Sequence, residues 1–74
     1  MTTQQQGAKV GVIGLGAMGL GIAQTLRNRG YQVHVCDVRP GAAADFASAG
    51  GVACAHPAEL AAQVDVVVSV VVNA

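Results

Sequence analysis

Hydrophobic residues along this chain fall in short clusters whose period switches between two and nearly four. After a polar opening from Met1 to Gln6, the run Lys9 to Gly14 is apolar, rich in Val and Ile and closed by glycine, which predicts a buried strand. Met18, Ile22 and Leu26 then recur every fourth residue with Ala23 beside them, while Gln24, Thr25, Arg27 and Asn28 fall elsewhere, so an amphipathic helix follows. Arg27 and Arg29 suit its negative end, and Gly30 supplies a left-handed stop. From Tyr31 to Asp37, Val33 and Val35 alternate with Gln32, His34 and Cys36, the two-residue period of a second strand. Pro40 preorganises the start of a second helix that carries Ala42 and Phe46 and ends at Gly50 and Gly51. Val52 to Ala55 predicts a brief third strand. Pro57 opens a third helix, with Glu59 in its positively polarised first turn and Leu60 as its apolar anchor. Seven valines in nine positions from Val64 to Val72 predict a fourth strand covered on both faces.

Strands alternating with helices pair in parallel through right-handed crossovers, which puts the chain in the α/β class. Composition agrees: with 53% hydrophobic residues, one Phe, one Tyr and no Trp, the core must be built from Val, Ile, Leu and Ala, as in a buried parallel sheet. At 74 residues there is room for one domain or part of one. Four basic residues balance four acidic ones without a basic run, so neither nucleic acid nor an anionic membrane surface has an electrostatic footprint here. Any phosphate must be held by backbone geometry. The apolar segment Val10 to Ala23 is fourteen residues long and glycine-rich, short of the roughly 20 that a membrane span requires, and no secretory cleavage pattern follows it. Cys36 and Cys54 lie in neither a redox nor a zinc spacing and are read as free thiols of a cytoplasmic protein. His34 and His56 also lack metal-ligand spacing and are read as structural or solvated.

The chemistry lies in Gly14, Gly16 and Gly19, a G-x-G-x-x-G that directly follows a strand and opens a helix, with Asp37 eighteen residues past Gly19 at the end of the next strand. That spacing is weak alone and specific in this context. The first glycine permits the tight turn, the second lets the backbone approach a pyrophosphate, and the third allows close contact of helix and strand. Unpaired N–H groups and the dipole at the helix start then bind phosphate without a cationic side chain. Leu15, Ala17 and Met18 therefore join the glycines as candidate contacts, Met18 having a core contact as its alternative. Asp37 can accept hydrogen bonds from both ribose hydroxyls of the adenosine half and would repel the 2′-phosphate of NADP, so the expected cofactor is NAD. Val38 adjoins this carboxylate. Arg39 could accept a 2′-phosphate or stack on adenine, which leaves NADP as the weaker alternative. The expected architecture is the first half of a Rossmann-type doubly wound sheet in order 3-2-1-4, with Val72 and Asn73 facing Gly14 across the switch point. Residues 1–7 are expected to be a disordered leader, and residues 8–74 the N-terminal part of a dinucleotide-binding domain whose remainder and substrate domain lie outside this chain.

Gly14-Leu-Gly-Ala-Met-Gly19-Leu-Gly-Ile-Ala23, Asp37, His56-Pro-Ala-Glu59 and the run Asp65 to Ala74 together resemble the β-hydroxyacid dehydrogenase family, which includes 3-hydroxyisobutyrate, tartronate semialdehyde, 6-phosphogluconate and L-threonate dehydrogenases. The likeness covers residues 8–74. Many members read Met-Leu-Pro after the fourth strand; Val72-Asn-Ala here is more similar to the L-threonate dehydrogenase branch. His56 stands where a capping Ser is common. The resemblance implies an oxidoreductase that passes hydride from a small β-hydroxyacid to a nicotinamide dinucleotide, works as a homo-oligomer when complete, and uses a lysine for acid and base chemistry. The sole lysine, Lys9, lies far from the switch point, and the family's substrate motif and lysine helix fall beyond Ala74, so no residue is assigned a catalytic role. Two other classes use such a loop: a stand-alone NAD(P)-binding regulatory module without turnover, and a flavin or NADP reductase. Asp37 and the Ala-Met-Gly context favour the dehydrogenase. Ser69 has no histidine placed as its base, so hydrolase chemistry has no support.

Overall fold

A computed structural model describes residues 8–39 and 41–70. In chain order the elements are β1 (Lys9–Ile13), α1 (Ala17–Asn28), β2 (Gln32–Cys36), α2 (Ala42–Ser48), β3 (Val52–Ala53), α3 (Pro57–Gln63) and β4 (Val66–Ser69). The four strands are all parallel and hydrogen-bonded in the order β3-β2-β1-β4, the arrangement of a Rossmann-type half fold. Register is continuous across the centre: Val12 aligns with Val35 on one side and with Val68 on the other. The leader, Pro40, Val72 and Asn73 lie outside the described residues.

The two-residue period of the strands sorts their side chains between two packed layers. Val12, Val33 and Val35 point to one face and are buried with Leu15, Ala23 and Phe46, against α1 and α2. His34 and Cys36, one position out of phase, fall on the opposite face. There Cys36 packs with Cys54 and Leu60 under α3. Both cysteines are free thiols, and burial pushes each thiol up from its ordinary pKa. His34 is structural: it is buried, its Nδ1 lies 3.1 Å from Gln63 Oε1, and among the described residues its Nε2 has no partner.

Two expectations about faces are corrected. Met18, Ile22 and Leu26 do not form the inward stripe of α1, because Gly19 and Ala23 are its buried residues and Met18 is 69% exposed. The reason is the proximity of the helix to the preceding turn: a Cβ on Gly19 would stand 1.8 Å from the Gly14 carbonyl oxygen, so the smallest residues must face inward. Leu20 and Leu26 pack at the margins of this contact. Nor is the valine run covered on both faces. Val66 and Val67 point to opposite sides and are 56% and 42% exposed, since β4 is the outer strand of the described sheet. The helices pack mainly away from β4: α1 lies over β1 and β2, α2 over β2 and β3, and α3 over β1 and β2.

Connections place the ends of the elements. Gly30 turns the chain out of α1, as its position after two arginines predicted, with φ of 97°. Arg27 does more than balance the dipole: its guanidinium lies 4.7 Å from the Phe46 ring centroid and donates to Gly50 O, so it ties α1 to the end of α2. At α3 Pro57 takes the first helical turn, and His56 makes no side-chain cap. Glu59 instead reaches back past the N-cap to accept the Ala55 N–H at 3.1 Å, which ties the first turn to the residue before His56.

Candidate functional site

The carboxyl ends of all four parallel strands open on one side of the sheet, and the residues there line a crevice of about 540 Å³. Ile13 and Gly14 contribute from β1, Cys36, Asp37 and Val38 from β2, Ala55 to Pro57 from beyond β3, and Ser69 and Val70 from β4. Pockets for small organic ligands span roughly 300–1,000 Å³, so the space is of ligand size. It lies where a doubly wound sheet reverses its strand order, between β1 and β4.

The floor is set by the turn between β1 and α1. Gly14 has φ of +96°, and a Cβ there would meet Val70 O at 2.4 Å, so both conformation and space demand glycine. Its N–H donates to Cys36 O at 2.9 Å, which pins the loop to the end of β2. Gly16 is the N-cap of α1 with φ −63° and ψ −174°, a conformation open to any residue. The backbone therefore does not require glycine there. The first intrahelical bond is Leu20 N–H to Gly16 O, at 2.8 Å. No side chain caps this end and its first turn holds no acidic residue, so the helix start offers N–H groups and a positive dipole to an anion without internal competition. Met18 projects outward from this turn. The Leu15 side chain is in the core, and its backbone N–H and C=O bond Asp37 and Arg39.

Asp37 stands at the end of β2 as expected, with its side chain 6% exposed. Its oxygens are already engaged. Oδ2 accepts the Leu15 N–H and Arg39 Nη2–H, and Oδ1 accepts the Arg39 backbone N–H at 2.8 Å and Nε–H at 3.0 Å. Hydrogen bonds from the Arg39 side chain, then from the Arg39 and Leu15 amides, hold the carboxyl well below the usual carboxylate range. Arg39 Nη2 also donates to Leu15 O at 2.8 Å, so the guanidinium bridges the carboxylate and the glycine loop. Sequence offered a phosphate ligand or an adenine platform for Arg39. The structure gives it a partner within the chain. Val38 is 99% exposed and lines the crevice between these two residues as an apolar wall.

These features converge on phosphate and ribose recognition: a tight glycine turn, an uncapped helix start, a carboxylate at the next strand end. Over residues 9–74 the chain matches the family of the NAD binding domain of 6-phosphogluconate dehydrogenase. It belongs to that family. Within the family it is 60% identical over 65 residues to L-threonate dehydrogenase of Cupriavidus necator, covering 88% of this chain and 22% of that protein. It is 34% identical over 73 residues to the mitochondrial 3-hydroxyisobutyrate dehydrogenase of Drosophila melanogaster, covering 99% of this chain and 22% of the relative. For the human mitochondrial 3-hydroxyisobutyrate dehydrogenase the figures are 38% over 60 residues, 81% and 18%. The chain thus spans about a fifth of the length of these relatives. As an NAD-binding domain of this family it has the expected cofactor.

Sequence placed Val72 and Asn73 at the β4 side of the site but did not name His56, Pro57, Ser69 or Val70 as lining it; each follows or ends a strand at its carboxyl end, and that positional rule, applied to every strand, would have found them. Lys9 lies at the opposite end of β1, where its N–H donates to Asp65 Oδ2 at 3.0 Å. Among the described residues no cluster of three or more His, Cys, Asp or Glu could hold a metal, and no helix is long and apolar enough to cross a membrane.

Proposed function

We propose that this chain forms the NAD-binding half-site of a dehydrogenase that oxidises a small β-hydroxyacid of the 3-hydroxyisobutyrate or L-threonate type. The observation that carries the reading is the uncapped start of α1, set directly behind the left-handed Gly14 and beside a carboxylate at the end of β2. In this reading the backbone N–H groups of Gly16, Ala17, Met18 and Gly19 face the pyrophosphate, while Gly14 and Leu15, whose amides bond Cys36 O and Asp37, shape the loop around it. Asp37, Val38 and Arg39 receive the adenosine, and Val72 and Asn73 continue the wall beyond β4. Gly16 leaves room for the pyrophosphate, and the first turn of α1 holds its charge with N–H groups. The bound cofactor supplies the hydride acceptor. No residue of this chain is assigned to proton transfer. The identity to L-threonate dehydrogenase supports a hydroxyacid as substrate.

A dinucleotide-binding regulatory module without turnover is the second reading, since the glycine loop and the carboxylate at the end of β2 would serve it equally. Assay of the full protein with NAD against a panel of β-hydroxyacids, including L-threonate and 3-hydroxyisobutyrate, separates the two. NADH formation on one of them is the expected result. Saturable NAD binding without reduction across the panel would favour the module, and absence of NAD binding would overturn both.

A further inference from the structure

Cys36 ends β2, and Cys54 directly follows β3 on the neighbouring strand. The register that pairs His34 with Val52 and Val35 with Ala53 makes Cys36 and Cys54 the next pair, and the bond from Cys54 N–H to Val35 O at 2.8 Å carries the ladder on to them. Both thiols are free, and both lie in one buried cluster with Leu60 under α3. Neighbouring strands run about 4.8 Å apart, inside the span of roughly 4.4–6.8 Å between Cα atoms that a disulfide bridges. Each residue also borders an opening at the strand ends: Cys36 lines the crevice, and Cys54 lines an adjoining hollow of about 400 Å³. Hydrogen peroxide, little larger than water, fits either. Burial pushes both thiols up from their ordinary pKa, so the sulfurs rest protonated and react faster as pH rises.

Cys36 is tied into the site by its backbone. Its carbonyl accepts the Gly14 N–H at 2.9 Å, and Asp37 is the next residue. A disulfide holds its Cβ atoms about 3.8 Å apart, closer than the spacing of neighbouring strands. Closing it draws the end of β2 toward β3 and away from the glycine loop that hangs on it.

We infer that Cys36 and Cys54 form a reversible disulfide, closed by a hydroperoxide, that loosens the glycine loop and weakens dinucleotide binding. The effect on binding rests on the reading of the crevice as a dinucleotide site; the disulfide itself rests on the sheet alone. Disulfides in reducing compartments are mostly transient and redox-sensing, the behaviour assigned to this pair. In the first step one ionised sulfur attacks a peroxide oxygen: an S–O bond forms, the O–O bond breaks, and hydroxide leaves to be protonated to water. The second sulfur then displaces hydroxide from that sulfenic acid, so an S–S bond forms as the S–O bond breaks, and its proton leaves in a second water. The two thiols lose two electrons and two protons, and the peroxide that gains them becomes two waters.

The test treats the full protein with hydrogen peroxide, blocks remaining thiols, and maps peptides from a protease that cuts before aspartate, since cuts at Asp37 and Asp45 separate the two cysteines. The expected product is one cross-linked pair of peptides, lighter by two hydrogen atoms and released by dithiothreitol. The oxidised protein should bind NAD about tenfold more weakly by calorimetry, the scale of one lost hydrogen bond, and recover on reduction. Cys54→Ser should form no cross-link and keep its NAD affinity through the same treatment. Met18 is exposed in both proteins, so an equal loss of affinity in Cys54→Ser would assign the effect to methionine oxidation and overturn the switch. Should a buried hydroxyl prevent folding, Cys54→Ala gives the same comparison. Sulfinic acid without a cross-link, no reaction at all, or a cross-linked protein with unchanged NAD affinity would each overturn the inference. Reduced wild type that binds no NAD, while the cross-link still forms, would instead bring down the reading of the crevice and with it the effect on binding.

Discussion

Gly14 and Gly16 are two residues apart in one motif, yet they are glycine for different reasons. Gly14 is fixed by the fold, through its φ of +96° and the 2.4 Å approach of Val70 O to the Cβ it lacks. Gly16 sits in an ordinary extended conformation, so its reason lies in the proposed approach of a pyrophosphate rather than in the backbone. The two should therefore separate in experiment. Gly14→Ala is expected to lower unfolding free energy by about 1–3 kcal/mol, the scale of a residue forced into a disfavoured backbone region, measurable by urea denaturation. Gly16→Val should cost about 1 kcal/mol of stability, the scale of losing a good N-cap residue, yet stay folded and lose dinucleotide binding, read by calorimetry. Wild-type NAD affinity in Gly16→Val would reduce the loop to a turn. The motif and Asp37 were legible in sequence because their spacing follows from one strand-turn-helix unit and the strand after it. The Asp37–Arg39 pairing was not, since spacing of two leaves open whether an arginine reaches back to the carboxylate or out to solvent.

At the scale of elements, strand and helix order and parallel pairing could be read from periodicity and the right-handed crossover rule, and the 3-2-1-4 topology once the glycine motif was added. Which face of α1 turns inward could not. A four-residue repeat of large apolar residues marks the same helix whether they pack or lie at the flank, and the close approach at Gly19 decided it in favour of the small residues. For β4 the valine run correctly marked a strand, whereas coverage depends on what packs beside it. Unpaired outer strands with apolar side chains on both faces template association. The 74-residue chain alone is accordingly expected to self-associate, seen as a concentration-dependent elution volume in size-exclusion chromatography. Replacing Val66 and Val67 together with Lys should shift it toward monomer, because charge on an outer strand opposes edge pairing. A wild-type chain that stays monomeric at all concentrations would contradict this account of β4.

For the molecule as a whole, the tie between β2 and the glycine loop links stability to pH. The folded-state pKa of Asp37 is depressed, so its contribution is present in full above the ordinary carboxylate value of about 4 and is lost as pH falls through the folded value below it. The urea midpoint should decline on acidification below about pH 4, and Asp37→Asn should lose part of that decline. An Asp37→Asn variant with an acid limb as steep as wild type would place the linkage elsewhere.

The central claim is that the strand-end crevice between β1 and β4 binds NAD through the start of α1 and the end of β2. Amide-resolved NMR titration of the protein with NAD tests it directly. Saturable shifts should concentrate on the N–H groups of Leu15 to Gly19 and on Asp37, Val38 and Arg39, with the amino end of β1 around Lys9 and Val10 unmoved. Saturable binding whose shifts fall outside the glycine loop, or no saturable shifts at all, would contradict it.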